Sequence, residues 1–171
     1  AECADRSGFG ENPCACTALQ QLASMSVTLP AVAPWNDLAN NAYCQTGDYR
    51  LNVICAPVDG VQLPTEVNGA GVGLRGALPP SLGELGPLLT VLDLGANAIT
   101  SVPTEIGNLR SLTDLDLSDN ALTLLPTEIG ALTGLTYLSL FTNAITSVPT
   151  ELGALTGLTD LGLNGNDLTS L

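Results

Sequence analysis

Leu112, Leu115, Leu117 and Leu122, with Asn120 between the last two, define a frame that this chain repeats in register. The frame recurs at Leu89/Leu92/Leu94/Asn97/Ile99, at Leu135/Leu138/Leu140/Asn143/Ile145 and at Leu158/Leu161/Leu163/Asn166/Leu168. Its asparagines advance from 97 to 120 to 143 to 166, a constant step of 23 residues. A unit of that length cannot bury its own apolar face and must stack on copies of itself. The chain is therefore bound to form a solenoid in which leucine columns make one continuous core. Leu115 and Leu117 are two residues apart, which puts both on one face of a short strand.

The pattern L-x-x-L-x-L-x-x-N-x-L resembles the leucine-rich repeat. That resemblance implies an α/β solenoid with a curved parallel sheet on the concave side and short helical turns on the convex side. Val102-Pro-Thr-Glu-Ile-Gly-Asn-Leu109, Leu125-Pro-Thr-Glu-Ile-Gly-Ala-Leu132 and Val148-Pro-Thr-Glu-Leu-Gly-Ala-Leu155 are in the style of its commoner 23-residue form. Upstream lie an apolar helix, Trp35, Cys44 and Cys55, and then Leu74-x-Gly76-x-Leu78-Pro79-x-x-Leu82-Gly83-x-Leu85. Together these resemble the N-terminal cap and first repeat of plant-type extracellular leucine-rich repeat proteins, receptor ectodomains among them. The expected organisation is a cysteine-rich cap over 1–57, a degenerate first repeat over 58–77, and repeats of 23–24 residues over 78–171. Within the cap, Thr17 starts a short helix through about Ser26, and residues 48–55 alternate as a strand. Pro126-Thr-Glu and its counterparts start the convex turns, with proline at the first helical position and glutamate in the first turn.

Charge and composition exclude several kinds of function. The formal net charge is -13, from 17 acidic residues against 4 arginines, with no lysine and no histidine. Nucleic acids and anionic membranes need a basic footprint that this chain lacks. Without histidine or lysine there is no base for a serine or cysteine nucleophile, no Schiff-base amine and no Walker-type phosphate loop. No apolar run approaches the roughly 20 residues that span a bilayer. No cofactor and no metal is expected. A cationic protein, a peptide or a neutral glycan remains as partner.

The cysteines, Cys3, Cys14, Cys16, Cys44 and Cys55, all lie in the first third. Clustered at one end of a repeat array, they read as a disulfide-stapled cap made in an oxidising compartment, so the chain is expected to be secreted or on the cell surface. Zinc is the rival, but Cys14-Ala-Cys16 is too tight for the usual ligand spacing and no histidine completes a set. Cys44 with Cys55 is the favoured pair and Cys3 with Cys14 or Cys16 the next. An odd count leaves one thiol over, and connectivity stays open.

Between the invariant leucines, four columns vary, and they are expected to face outward from the concave sheet. They carry Val91, Asp114, Tyr137 and Asp160; Asp93, Asp116, Ser139 and Gly162; Gly95, Ser118, Phe141 and Asn164; and Ala96, Asp119, Thr142 and Gly165. Acidic groups thus surround Tyr137 and Phe141 in a chain with only 4% aromatic residues, so a paired aromatic anchor marks a binding face. The candidate ligand-binding residues are Asp93, Asp114, Asp116, Asp119, Tyr137, Phe141, Asp160 and Asn164. No residue is read as catalytic: Asp93 and Asp116 have the spacing of a carboxylate pair, but an open sheet offers no water-excluding cleft. The asparagine column is read as structural, each amide satisfying backbone groups that the turn leaves unpaired. A column of Glu105, Glu128 and Glu151 offers a divalent ion too few oxygens.

Two other functions are in view. Leu171 occupies the place of Val102, Leu125 and Val148, so the sequence stops as a further repeat begins. Either further repeats belong beyond Leu171, which is the simpler expectation, or an open leucine face lets copies stack head-to-tail into a fibre through cap and end, which makes Leu171 the candidate assembly end. Ice binding by the threonine columns at Thr90/Thr113/Thr136/Thr159 is more distant than either, since a strand threonine is by default a residue that hydrogen-bonds locally.

Overall fold

The computed structural model describes residues 52–58 and 61–169. The expectations placed on Cys3, Cys14, Cys16, Cys44, the 17–26 helix, Trp35 and Leu171 lie outside the described residues, and so does any disulfide to Cys55. Among the described residues there are eight strands: β1 (Asn52–Val58), β2 (Val61–Asn68), β3 (Arg75–Ala77), β4 (Val91–Asp93), β5 (Ala98–Ser101), β6 (Asp114–Asp116), β7 (Tyr137–Ser139) and β8 (Asp160–Gly162). Six form one sheet in the order β1-β2-β4-β6-β7-β8, and β3 pairs with β5 in a second. β1 and β2 are an antiparallel hairpin, while every later pairing is parallel. The long strand expected at the end of the cap segment is therefore joined to the repeat sheet, its 52–55 part lying in β1.

Register follows the repeat. Leu92, Leu115, Leu138 and Leu161 are side by side across four strands, and Val67 of β2 extends the same column. The leucine columns carry the core: Leu89, Leu112 and Leu135, Leu92, Leu115 and Leu138, and Ile99, Leu122 and Ile145 are all fully buried. Leu161 is 43% exposed, on the edge strand of the described sheet.

The asparagine ladder performs the role expected of it. Asn120 Oδ1 accepts the Ile99 N–H at 2.9 Å, in the preceding coil. Its Nδ2 donates to the Leu117 and Ser118 carbonyls of its own loop and to Leu94 O of the preceding one. Asn97 and Asn143 repeat the arrangement, and Asn166 bonds Ile145 N, Leu140 O and Leu163 O. One amide thus satisfies both its loop and the next-door coil, using donors and acceptors together.

The convex turns are short 3-10 helices at Pro80–Glu84, Thr104–Asn108, Thr127–Ala131 and Thr150–Ala154. Here one expectation is corrected. Pro103, Pro126 and Pro149 are in the capping position with extended backbone (ψ 156°, 148° and 143°), one residue before the first helical position. The reason is that proline contributes its carbonyl: Ile106, Ile129 and Leu152 donate their N–H to it, closing the i→i+3 bond that starts each turn. Only the first turn has proline, Pro80, inside its start. Glycines set how tightly these turns stack. A Cβ on Gly130 would lie 2.5 Å from the Glu151 carbonyl oxygen, and one on Gly83 at the same distance from Glu105 O.

A conformational column also runs through the loops after the strands. Gly71, Ala96, Asp119, Thr142 and Gly165 all have left-handed backbone, with φ of 64°, 53°, 50°, 53° and 71°. The last four of these residues bend the chain from strand to asparagine, and three of them do so with a Cβ that disfavours this region.

Two outcomes follow from these contacts. Gly130→Ala forces backbone apart and is expected to cost ~1–3 kcal/mol, whereas Gly153→Ala, with nothing within 4 Å of its new methyl, should leave the denaturation midpoint unchanged or raise it. Asn120→Ala leaves the Ile99 N–H without its acceptor and should cost at least ~1–3 kcal/mol. Urea denaturation of the three variants measures both.

Candidate functional site

Strands place the variable residues by alternation: the leucine of each three-residue strand turns inward, and the residues on either side turn to the opposite face. Two columns result on the outward face. Val91, Asp114, Tyr137 and Asp160 are in register in one, and Asp93, Asp116, Ser139 and Gly162 in the other. The structure thus brings together five of the candidates, Asp93, Asp114, Asp116, Tyr137 and Asp160. Tyr137, 37% exposed, stands between two aspartates on the neighbouring strands. Strands in a sheet are ~4.8 Å apart, so one aspartate stands on either side of it.

The remaining candidates are in the loops that follow the strands. Asp119 and Asn164 are exposed, and Asp119 is one of the left-handed residues. Phe141 is half-buried rather than fully outward, since its ring edge lies over the β8 backbone: a Cβ on Gly162 would meet Phe141 Cδ1 at 3.9 Å. Ser118 and Ser139, both on columns expected to be outward, are 5% and 2% exposed.

Four of the aspartates are each held by a defined donor. Asp93 Oδ1 accepts the Gly95 N–H at 3.0 Å, and Asp116 Oδ1 accepts the Ser118 N–H at 2.8 Å. These bonds to the residue two positions on are Asx turns, and they lead the strand into its loop. Thr113 Oγ1 donates to Asp114 Oδ2 at 2.6 Å and Thr159 Oγ1 to Asp160 Oδ2 at 3.0 Å. The same hydroxyls also reach back one coil: Thr90, Thr113, Thr136 and Thr159 each bond the carbonyl of the threonine before them, the first to Thr65 O. The threonine column is thus a structural ladder across coils, longer in range than the local bonding expected. On the convex side, Glu105, Glu128 and Glu151 each accept the hydroxyl of the preceding threonine.

Asp93 and Asp116 are neighbours in register, and both approach Gly95. A Cβ there would lie 3.3 Å from an oxygen of each and 3.2 Å from Ser118 Oγ. This is a surface of acceptors on an open sheet, suited to holding donors of a ligand. Among the described residues, no three His, Cys, Asp or Glu side chains are grouped to hold a metal ion, and no helix is long and apolar enough to cross a membrane. Ser139 was the residue that sequence reasoning passed over. Its only signal was the break in a column that runs Asp, Asp, Ser, Gly.

Comparison with known proteins agrees with this architecture. Residues 76–170 match the family described as "Leucine-rich repeat region". No curated protein matches the chain. Among solved structures, a leucine-rich repeat protein of Leptospira interrogans is 42% identical over 56% of this chain, with a TM-score of 0.54. This chain spans 24% of that protein's length. A chain of the BIR3–SERK2 complex from Arabidopsis thaliana is 29% identical, with 90% of this chain and 82% of that one covered and a TM-score of 0.71. The plant peptide hormone receptor RGFR1, solved in complex with RGF2, is 35% identical over 60% of this chain and 17% of its own, with a TM-score of 0.56.

The Asx bond at Asp116 separates structural from electrostatic roles. Asp116→Asn keeps the acceptor and should hold stability within ~0.5 kcal/mol, whereas Asp116→Ala should lose ~1 kcal/mol. Thermal melts of the two variants give the comparison.

Proposed function

The chain belongs to the leucine-rich repeat family, and from that premise we propose that it is an extracellular, non-catalytic recognition module for a protein or peptide. The observation that carries this is the division of labour on the sheet. Leucine, asparagine and threonine columns are consumed by stacking, while the columns that vary place an exposed tyrosine between Asp114 and Asp160. An aromatic ring with a polar phenol tip is a common anchor at interfaces, and flanking carboxylates select a donor-rich or cationic partner.

The ligand lies along the outward face. Tyr137 and Phe141 are its anchors, Asp93, Asp114, Asp116 and Asp160 its acceptors, and Asp119 and Asn164 its contacts at the loop edge. Support comes from the similar solved structures too, one of which is the plant peptide hormone receptor RGFR1 in complex with RGF2. The cysteine-rich N-terminal segment and the acidic, lysine-free composition support an extracellular setting. The face is an open sheet of acceptors, which suits binding rather than turnover.

Panning a displayed random-peptide library against the immobilised chain tests this. Binders are expected that lose at least tenfold in affinity against Tyr137→Ala and against Asp114→Asn, with both variants melting within a few degrees of the parent. Binders that ignore both substitutions would place recognition elsewhere on the molecule.

A further inference from the structure

Ser139 sets a chemical requirement at one point of this face. Its side chain is 2% exposed, and its hydroxyl has no hydrogen-bond partner. Burying a hydroxyl without a partner is unfavourable by ~1–3 kcal/mol. The residues at its level on the preceding strands, Asp93 and Asp116, both have partners. On the following strand the same level is Gly162, which has no side chain at all. A Cβ there would lie 3.6 Å from Ser139 Oγ and 3.9 Å from Phe141 Cδ1, both ordinary contacts. The backbone of Gly162 is outside the left-handed region, so no conformational need calls for glycine. The absent side chain leaves room for at least a methyl group at Gly162, bordered by an unpartnered hydroxyl and a ring edge. Asp160, two residues earlier on the same face of β8, stands at the rim of this gap.

We infer that the gap over Gly162 is a subsite for an arginine side chain of the ligand, bonded to Ser139 Oγ and the Asp160 carboxylate and packed against Phe141. This rests on the recognition function proposed above and names the chemistry of one of its contacts. The charge of the chain, -13, favours a cation over a neutral group. Among the described residues the basic side chains are Arg75, in β3, and Arg110, after a convex turn, so neither occupies the face. Guanidinium suits the gap better than ammonium. Its planar fork donates in several directions at once, it stacks on rings, and it is less strongly hydrated, so it enters a partly buried site more readily. Asp160 already accepts the Thr159 hydroxyl, and a carboxylate has about four acceptor sites, so it retains capacity for a bidentate partner.

The test uses the full chain, acetylated tetra-arginine amide, and its lysine and citrulline counterparts, by calorimetry at physiological salt. The arginine peptide should bind at least tenfold tighter than the lysine peptide, and the citrulline peptide should not bind. Gly162→Val fills the gap without altering charge and should reduce arginine-peptide affinity at least tenfold. Ser139→Ala should weaken binding several-fold while the melting temperature holds or rises, because the change removes an unpaired buried hydroxyl. Gly162→Ala, whose methyl makes only ordinary contacts, should lie between parent and valine variant. Equal affinity for arginine and lysine, or full affinity in Gly162→Val, would show diffuse charge attraction and overturn the subsite. Library peptides that need Tyr137 but tolerate Gly162→Val would likewise overturn it while leaving recognition on the face intact.

Discussion

A parallel sheet made of three-residue strands has few ladder bonds per strand, and the long loop between strands presents backbone groups that no strand can pair. One asparagine per coil supplies the deficit. Asn97, Asn120, Asn143 and Asn166 each reach into two coils, accepting an N–H from the preceding one and donating to carbonyls in both. The threonine hydroxyls add a second backward-pointing series. With the polar groups paired, the leucine columns can be sealed from water, and Leu92, Leu115 and Leu138 are fully buried. Hydrophobic stacking is the driving force, but it depends on the amide ladder to make burial of the loops possible.

Much of this was readable because the repeat samples each position several times. A leucine or asparagine that returns every 23 residues must serve the stack, and its neighbours that change need not. What stayed hidden was conformation and closure. Ala96, Asp119 and Thr142 give no compositional hint of left-handed backbone; only Gly71 and Gly165 at the same level do. The proline of the three Pro-Thr-Glu turns stands one residue before the position expected of it, because proline's fixed φ fits the extended cap as well as the helix. Ser139 and Phe141 were misjudged for a common reason. Alternation tells which face a side chain leaves from, while its neighbours' bulk decides whether it reaches water.

The same separation explains how a repeating scaffold carries a non-repeating site. Every coil presents two outward strand positions whose side chains the stack does not consume. Placed in register, they behave as pixels of a surface whose spacing is fixed by the strands. The acidic pair at Asp93 and Asp116 is the exception, being part of the local turn as well as of the face. Changes there alter fold and surface together, whereas changes at Tyr137 or Gly162 alter the surface alone.

The direction of the amide ladder has a consequence for how the protein is made. Each asparagine satisfies a backbone N–H that lies one coil nearer the N-terminus, as Asn120 does for Ile99 and Asn143 for Leu122. During synthesis the chain emerges N-terminus first. A newly finished coil therefore leaves the ribosome with one donor waiting, and only the next 23 residues to be translated can close it. Synthesis and maturation advance in the same direction, each coil certifying the one before.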